Sequence, residues 1–221
     1  RFTKNYLRCI KDVDENIGRF RSIYQNLTNK ECVFIYTANQ GRFVGENGWF
    51  GSQWMMESSM RIPLSFTFIN RKDSIPKTIE TNVQDIDIVP TILNLADQSN
   101  LKGNHGITLN SNDWNSTALN KRSELYFHHY DFPGSLMISK HYGIRTKTHK
   151  LIHYYQFGEW ELFDYSHQLV ESINLIDSSA EVSSLKERLG LLKENLDDQG
   201  DKSIMPEKWR RIYRGPSARV E

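Results

Sequence analysis

A long amphipathic pattern that runs directly into a continuous apolar strand is the feature that most constrains this fold. Apolar side chains recur at three- and four-residue steps, as on one stripe of a helix: Leu7, Ile10, Val13, Ile17, Phe20, Tyr24 and Leu27. Residues 32 to 36, Cys-Val-Phe-Ile-Tyr, then have the pattern of a short buried strand. A continuous apolar strand after a helix is typical of a parallel sheet covered on both faces. We therefore predict an α/β fold.

The apolar strand ends in polar residues, at the place where α/β proteins bind ligands. Asn39, Gln40 and Gly41 follow it, and the carboxyl ends of strands are the usual ligand site in such folds. A glycine-rich loop comes next, over residues 42–52. The pattern beyond it predicts a short helix over 54–60, a strand over 64–69, and a helix over 85–96 with Pro90 near its first turn.

The chain changes character near residue 118. Residues 101–116 are rich in Asn, Ser and Gly without periodicity, and four short aromatic and β-branched runs follow, over 124–130, 142–147, 151–155 and 160–165. Such runs with tight turns between them predict an antiparallel meander. Residues 182–196 return to helical spacing. We predict an α/β part over 1–117, a small antiparallel β subdomain with a packed helix over 118–202, and a tail over 203–221.

Size and charge exclude several classes of function. The 221 residues are enough to bury a core, and the formal net charge of +1 gives no electrostatic reason to expect nucleic acid as a partner. No apolar run reaches the roughly 20 residues that a membrane span needs. The sequence starts at Arg1 and contains no signal peptide, so we expect a processed, trimmed or truncated product.

A series of motifs in a fixed order resembles the C-terminal half of type I sulfatases, in the alkaline-phosphatase-like superfamily. The series includes Tyr-Leu-Arg-Cys-Ile-Lys-Asp-Val-Asp-Glu-Asn-Ile-Gly-Arg at 6–19, Gln-Gly-Arg-Phe-Val-Gly-Glu at 40–46 and Arg-Ile-Pro at 61–63. It continues with Asp-Ile-Asp-Ile-Val-Pro-Thr at 85–91, Tyr-Gly-Ile-Arg-Thr at 142–146, Lys-Leu-Ile-His at 150–153 and Trp-Glu-Leu-Phe-Asp at 160–164. Each motif alone is weak, whereas their order and number are specific.

The resemblance implies part of a doubly wound sheet followed by a small antiparallel sheet and a C-terminal helix. It also implies a calcium-dependent hydrolase of sulfate esters, acting on sulfated carbohydrate. Sulfatases of this type mature a Cys or Ser within Cys/Ser-x-Pro-x-Arg to a formylglycine nucleophile, and this sequence contains no such segment. We therefore assign no catalytic residue and expect the chain alone to be inactive. Proteins of this family are usually periplasmic or secreted. Because this sequence contains no signal peptide, the compartment of this chain stays unknown.

The resemblance also suggests the site residues. Asn39 and Gln40 occupy the positions of two metal ligands, the first of which is an Asp in the family, and Ser52 stands where a lysine contacts sulfate. A neutral hydroxyl does not replace an ammonium in stabilising an anionic transition state. The candidates for substrate contacts in the meander are His129, His141 and Arg145. The alternative is structural: the two amides end a strand, and the histidines lie under aromatic rings or in solvent.

Two rival functions remain at this point. The first is a non-catalytic pseudoenzyme or carbohydrate-binding remnant that uses the surface of His129, His141 and Arg145. The second is a phosphatase or phosphodiesterase of the same superfamily, which the lack of an Asp-His pair after the strand disfavours. An incomplete sheet also exposes an edge that invites pairing with another chain, so we expect association of the isolated polypeptide.

Overall fold

A computed structural model describes residues 1–27, 29–71, 78, 80–109, 122–132, 138–166 and 171–200. The chain divides into two compact units, Arg1–Thr78 (unit 1) and Ile79–Glu221 (unit 2). The boundary predicted near residue 118 and the tail predicted over 203–221 lie outside the described residues. No helix in the described ranges combines the length and apolarity that crossing a membrane requires.

Unit 1 begins with the predicted helix and strand. Helix α1 spans Phe2–Leu27, and strand β1 spans Cys32–Thr37. Two short strands follow, β2 (Phe43–Val44) and β3 (Phe50–Gly51), with a 3-10 turn at Glu46–Gly48 between them. Helix α2 (Glu57–Met60) and strand β4 (Leu64–Ile69) complete the unit. The helices and strands expected from the sequence are thus present, with α2 shorter than predicted.

Strand β1 pairs with β4 in antiparallel fashion, in the register Cys32↔Ile69 to Thr37↔Leu64. The α/β class is confirmed. We expected β1 to have a parallel neighbour, but its pairing with β4 is antiparallel. The reason lies in the connection: after β1 the chain turns through β2, β3 and α2 and re-enters beside the end of β1 at Leu64. A parallel partner would need a crossover back to the start of β1.

Unit 2 opens with a helix held by a buried carboxylate. A 3-10 turn at Asp85–Asp87 leads into helix α3 (Ile88–Leu95), which contains Pro90 in its first turn. The side chain of Asp87 is fully buried and accepts hydrogen bonds from the backbone N–H of Gln84 (2.8 Å) and of Ile107 (2.7 Å). Arg122 completes the set with a two-pronged ion pair, Nη2 to Oδ1 at 2.8 Å and Nη1 to Oδ2. One carboxylate therefore joins α3, the 104–109 segment and the chain just before the sheet.

Four antiparallel strands form the meander predicted from the sequence. They are β5 (Glu124–His129), β6 (His141–Thr146), β7 (His149–Tyr154) and β8 (Glu159–Asp164), and each pairs with its neighbour in sequence. Helix α4 (Val182–Asn195) covers one face, where Leu185 and Leu189 pack against Ile144, Leu151 and Leu162. Alternation places the residues between these strand positions on the opposite face.

The apolar core is concentrated in unit 2. Of the fourteen buried hydrophobic side chains among the described residues, only Phe43, Met55 and Ile69 belong to unit 1. No residue of β1 is fully buried, although the sequence predicts a strand covered on both faces. Burial of apolar surface is the main favourable term in folding, so the stability of the chain resides mainly in unit 2.

Candidate functional site

The predicted metal ligands lie in a turn that the fold fixes tightly. Asn39 and Gln40 follow β1 and are both exposed. The next residue, Gly41, donates its N–H to the carbonyl of Ser59 at 2.7 Å. A Cβ at Gly41 would lie 2.3 Å from the Ser58 carbonyl oxygen, so only glycine fits here. The turn that presents the two amides is therefore anchored to α2.

Ser52 lies near this turn because of the pairing of β2 with β3. The register Phe43↔Gly51, continued by one residue, places Ser52 opposite Arg42, which is two residues beyond Gln40. The Ser52 side chain is buried, with 3% of its surface exposed. Glu46, in the same part of unit 1, accepts the backbone N–H of Val44 at 2.7 Å. The extended register thus places Ser52 beside the segment that leads out of the turn carrying Asn39 and Gln40.

The donor set on this side of unit 1 does not make a calcium site by itself. Calcium takes roughly six to eight oxygen ligands, usually including carboxylates, whereas Asn39 and Gln40 offer two neutral amide oxygens. In the part of the chain that the structure describes, no group of three or more His, Cys, Asp or Glu side chains is placed to hold a metal ion. A cation bound here would need further ligands, so no reaction step is derived through one.

The three substrate candidates of unit 2 share one face of the meander. His129 pairs with His141 across β5 and β6, and Arg145 stands four residues after His141 on β6, so alternation points all three away from α4. Lys150 and Tyr154 of β7 lie on this same side. We call these five residues the histidine face: His129, His141, Arg145, Lys150 and Tyr154. The remaining strand histidines, His128, His149 and His153, lie on the α4 face.

Stacked rings fix the two histidines of the histidine face. The His141 ring is fully buried, and its centroid lies 5.2 Å from that of His129 and 5.3 Å from that of Tyr154. His141 Nδ1 lies 2.7 Å from the carbonyl oxygen of Ser139. Because a carbonyl oxygen only accepts, Nδ1 carries the proton and donates this hydrogen bond. Burial lowers the pKa of His129, although a hydrogen bond to the backbone of Asp131 opposes this effect. His129 is therefore neutral at pH 7, and it is the more accessible of the two rings.

Arg145 is held by an aromatic ring and a backbone carbonyl. Its guanidinium carbon lies 5.2 Å from the centre of the Tyr165 ring, and Nη1 donates to the carbonyl of Thr146 at 2.8 Å. The Tyr165 hydroxyl donates in turn to Glu171 Oε1 at 2.5 Å. Glu171 also pairs with the fully buried ammonium of Lys150 at 2.8 Å. Arg145 is thus positioned by a buried polar cluster beneath it.

Sequence reasoning missed this cluster, because charged residues such as Lys150 and Glu171 are expected in solvent. It also missed a second polar cluster on the α4 face. Asp198, just beyond α4, lies with Oδ2 2.5 Å from His128 Nδ1 and accepts hydrogen bonds from the hydroxyls of Tyr126 and Tyr130. Burial alone would raise the pKa of Asp198, but the hydrogen bonds from Tyr126 and His128 outweigh it and lower the pKa to about 2. No motif near residue 198 signals this role.

His153 lies under an aromatic ring, as expected if the histidines of the meander have a structural role. Its ring stacks on Trp160 at a centroid distance of 3.9 Å and an interplanar angle of 7°, and Nδ1 lies 2.9 Å from the Tyr142 hydroxyl. Burial lowers the pKa of His153 to about 4, assisted by the charges of Lys186 and Lys193. This histidine therefore supports the packing of α4.

Comparison with known proteins defines the class to which this arrangement belongs. The chain is 32% identical over 200 residues to an N-acetylglucosamine-6-O-sulfatase of Bacteroides thetaiotaomicron, with 87% of this chain and 35% of the relative covered. It is 31% identical over 201 residues to an arylsulfatase of Clostridium perfringens, with coverages of 86% and 38%. A protein solved in complex with its substrate, D-glucosamine-2-N,6-O-disulfate, matches with a TM-score of 0.69 and 29% identity over 88% of this chain and 41% of that chain. The fold is that of the sulfatases.

The family follows from a match to a protein-family model. Residues 45–199 match the family described as N-sulphoglucosamine sulphohydrolase, C-terminal. This chain belongs to that sulfatase family, and it spans about two fifths or less of the length of the relatives it matches. The resemblance read from the motifs is confirmed.

Proposed function

We propose that this chain forms the C-terminal part of a sulfuric-ester hydrolase that acts on sulfated glucosamine. The observation that carries the proposal is the match, over most of the chain, to an N-acetylglucosamine-6-O-sulfatase and to a protein solved with a disulfated glucosamine as its substrate. Both likenesses extend across the strands that carry the candidate site residues. The substrate class of this chain is inferred from them.

Within this proposal, His129 and Arg145 of the histidine face contact the sugar, and His141 supports the His129 ring. The burial of His141 and its stacking on His129 favour this division of roles. A planar guanidinium suits an anionic sugar substituent, because it donates two parallel hydrogen bonds. In unit 1, Ser52 replaces a cation at the sulfate, and Asn39 and Gln40 contribute oxygens to calcium.

The chain alone is proposed to lack turnover, since its sequence contains no Cys/Ser-x-Pro-x-Arg segment. The test is hydrolysis of N-acetylglucosamine 6-sulfate, with and without calcium, by the chain alone and by a longer protein that includes such a segment. Sulfate release by the longer protein only is the expected result. Release by the chain alone would contradict its proposed inactivity, and release by neither would contradict the hydrolase proposal.

A binding measurement tests the roles of these residues independently of catalysis. Titration of the protein with N-acetylglucosamine 6-sulfate should show affinity lowered about tenfold or more by His129→Ala, because a hydrogen bond to a charged group contributes roughly 1.5–3 kcal/mol. The matched control is His149→Ala, which removes a histidine from the opposite face of the same sheet. Equal loss of affinity in both variants would show that the histidine face does not contact the sugar.

A second candidate function is a non-catalytic protein that binds sulfated carbohydrate. The neutral residues Asn39 and Ser52 favour it, because they stand where the resembled sulfatases carry an Asp and a Lys. It predicts that the longer protein binds N-acetylglucosamine 6-sulfate but releases no sulfate, and that binding does not change when calcium is removed.

A further inference from the structure

Two lysines on one side of α4 carry charges that no carboxylate of the described residues neutralises. Lys186 and Lys193 are close to two helical turns apart, so both lie on the same side of the helix. Neither forms an ion pair within the described ranges, whereas Arg188, on the other side of α4, pairs with Glu124 at 2.5 Å. We call Lys186 and Lys193 the lysine pair. Two uncompensated ammonium groups attract an anionic ligand.

The lysine pair lies over a row of partly exposed aromatic rings. Tyr142, His153 and Trp160 are neighbours across β6, β7 and β8, and we call them the aromatic row. Lys193 Nζ lies 4.7 Å from the centre of the Tyr142 ring, and Lys186 Nζ lies 4.4 Å from that of Trp160. The His153 ring stands between the other two, with centroid distances of 5.1 Å to Tyr142 and 3.9 Å to Trp160. The outer rings are two strand spacings apart, which puts the two ammonium groups about 10 Å from each other.

The carboxylates near the lysine pair are directed elsewhere or already occupied. Glu187 and Glu194 each follow one of the lysines by one residue, which places them about 100° further round the helix. The two glutamates of β8 alternate with Trp160 and therefore lie on the histidine face. Asp198 is 7% exposed, and both of its oxygens are occupied within its own cluster. The surface around the lysine pair is therefore positively charged.

His153 and Gly190 show that this charge is concentrated and accessible. Burial lowers the pKa of His153 to about 4, and the charges of Lys186 and Lys193 both add to this effect. Gly190 lies between the two lysines along the helix, is exposed, and would have nothing within 4 Å of a Cβ. The helix surface between the lysines is thus open to a ligand that contacts both.

We propose that the lysine pair and the aromatic row bind a sulfated oligosaccharide, on the opposite side of the sheet from the histidine face. A hydrogen-bonded ammonium lies about 3 Å from its oxygen, so two ammonium groups about 10 Å apart meet different anionic groups on different sugar rings. Aromatic rings offer apolar surface with a negative face to the C–H groups of a sugar. The choice of a sulfated glycan among polyanions rests on the proposed function, whereas the location rests on the geometry of α4 and the sheet.

The probe is a heparin tetrasaccharide, whose glucosamine residues carry 2-N and 6-O sulfates, titrated into this chain by calorimetry. All proteins carry His129→Ala, so that binding at the histidine face is suppressed. Lys186→Gln with Lys193→Gln should lower the affinity about tenfold or more, because charge-assisted hydrogen bonds are removed. The matched control is Lys102→Gln with Lys147→Gln, which removes the same charge from two exposed lysines elsewhere in unit 2. It should leave the affinity within about threefold.

Nuclear magnetic resonance of His153 distinguishes a bound glycan from a change in packing. Saturation with the tetrasaccharide should raise the pKa of His153, because sulfates beside the lysine pair offset the lysine charges. The same addition should not move this pKa in the Lys186→Gln, Lys193→Gln variant. Thermal melts of both double variants check that α4 remains packed on the sheet.

Four results would overturn the proposal. The tetrasaccharide does not bind, or the two double variants bind it alike, or the pKa of His153 does not move on saturation. The fourth is equally tight binding of a single-stranded oligothymidylate of equal charge, which would show a general polyanion site. Failure of the proposed function looks different: the longer protein then releases no sulfate from N-acetylglucosamine 6-sulfate, whatever binds at the lysine pair.

Discussion

The buried carboxylate of Asp87 gives the sharpest prediction for the stability of unit 2. Oδ1 accepts from Ile107 N and Arg122 Nη2, and Oδ2 accepts from Gln84 N and Arg122 Nη1. In Asp87→Asn one of these oxygens becomes an NH2 group, whichever way the amide is turned. Two of the four hydrogen bonds are lost. One backbone N–H and one Arg122 nitrogen, both donors, then face the NH2 group of the asparagine in the interior.

The magnitude follows from these bonds. A hydrogen bond to a charged group contributes roughly 1.5–3 kcal/mol, and removing one partner of a buried ion pair costs about 3–5 kcal/mol. Asp87 is fully buried and Arg122 is 9% exposed, so the upper figures apply. We expect Asp87→Asn to lower the free energy of unfolding by about 3–5 kcal/mol, against the roughly 5–15 kcal/mol that a whole domain possesses.

Urea unfolding followed by circular dichroism measures this loss, and hydrogen exchange of the 84–109 segment assigns it to unit 2. The control is Asp85→Asn, which removes the same charge two residues away, where Asp85 is exposed and accepts the N–H of Ile86. It should cost less than about 1 kcal/mol. In an Arg122→Met background the cost of Asp87→Asn should shrink. A cost that is equal in both backgrounds, or no larger than that of Asp85→Asn, would refute the reasoning.

Three further predictions concern glycine, a buried lysine and a histidine. Gly18→Ala should raise the unfolding free energy by about 0.5–1 kcal/mol, because a Cβ there meets nothing within 4 Å and glycine is unfavourable inside a helix. Gly106→Ala should lower the unfolding free energy by about 1–3 kcal/mol, because its Cβ would lie 2.0 Å from the Ile86 carbonyl oxygen. Thermal melts that shift both variants in the same direction would contradict this. Lys150→Met should cost about 3 kcal/mol or more in urea unfolding by leaving Glu171 buried without its ammonium partner, whereas Lys150→Met with Glu171→Leu should cost less than the single change. The folded-state pKa of His153 is about 4, below the ordinary 6.5, so its contribution is fully present above pH 6.5 and is lost as the pH falls towards 4. Between these values wild-type protein should lose about 1–2 kcal/mol more than His153→Phe, and parallel pH profiles would be the contrary result.

The elements that the sequence predicted well carry local signals. The four strands of the meander alternate aromatic and polar residues between tight turns, and α1 and α4 have helical spacing, so their positions follow from periods of 2 and 3.6 residues. The α/β class follows from the same patterns. The pairing of β1 with β4 does not, because a strand's apolar run is the same for a parallel and an antiparallel neighbour.

The candidate site was predictable to a smaller extent. His141 and Arg145 share a face by their spacing alone, but His129 joins them only through the register His129↔His141, which no local pattern in the sequence specifies. The polar cluster of Lys150, Glu171 and Tyr165 was beyond sequence reasoning, since a lysine buried by a partner 21 residues away has no local pattern. The roles of Asn39, Gln40 and Ser52 remain predictions that rest on resemblance.

The pairing of each meander strand with its sequence neighbour also bears on how the polypeptide reaches its native state. Contacts between β5, β6, β7 and β8 close short loops, and a topology rich in local contacts folds fast. Unit 1 precedes this sheet in the chain and is therefore synthesised first, with several exposed apolar side chains on α1. Transiently exposed apolar surface is where aggregation begins. Expression yield in cells should therefore rise with chaperone supply.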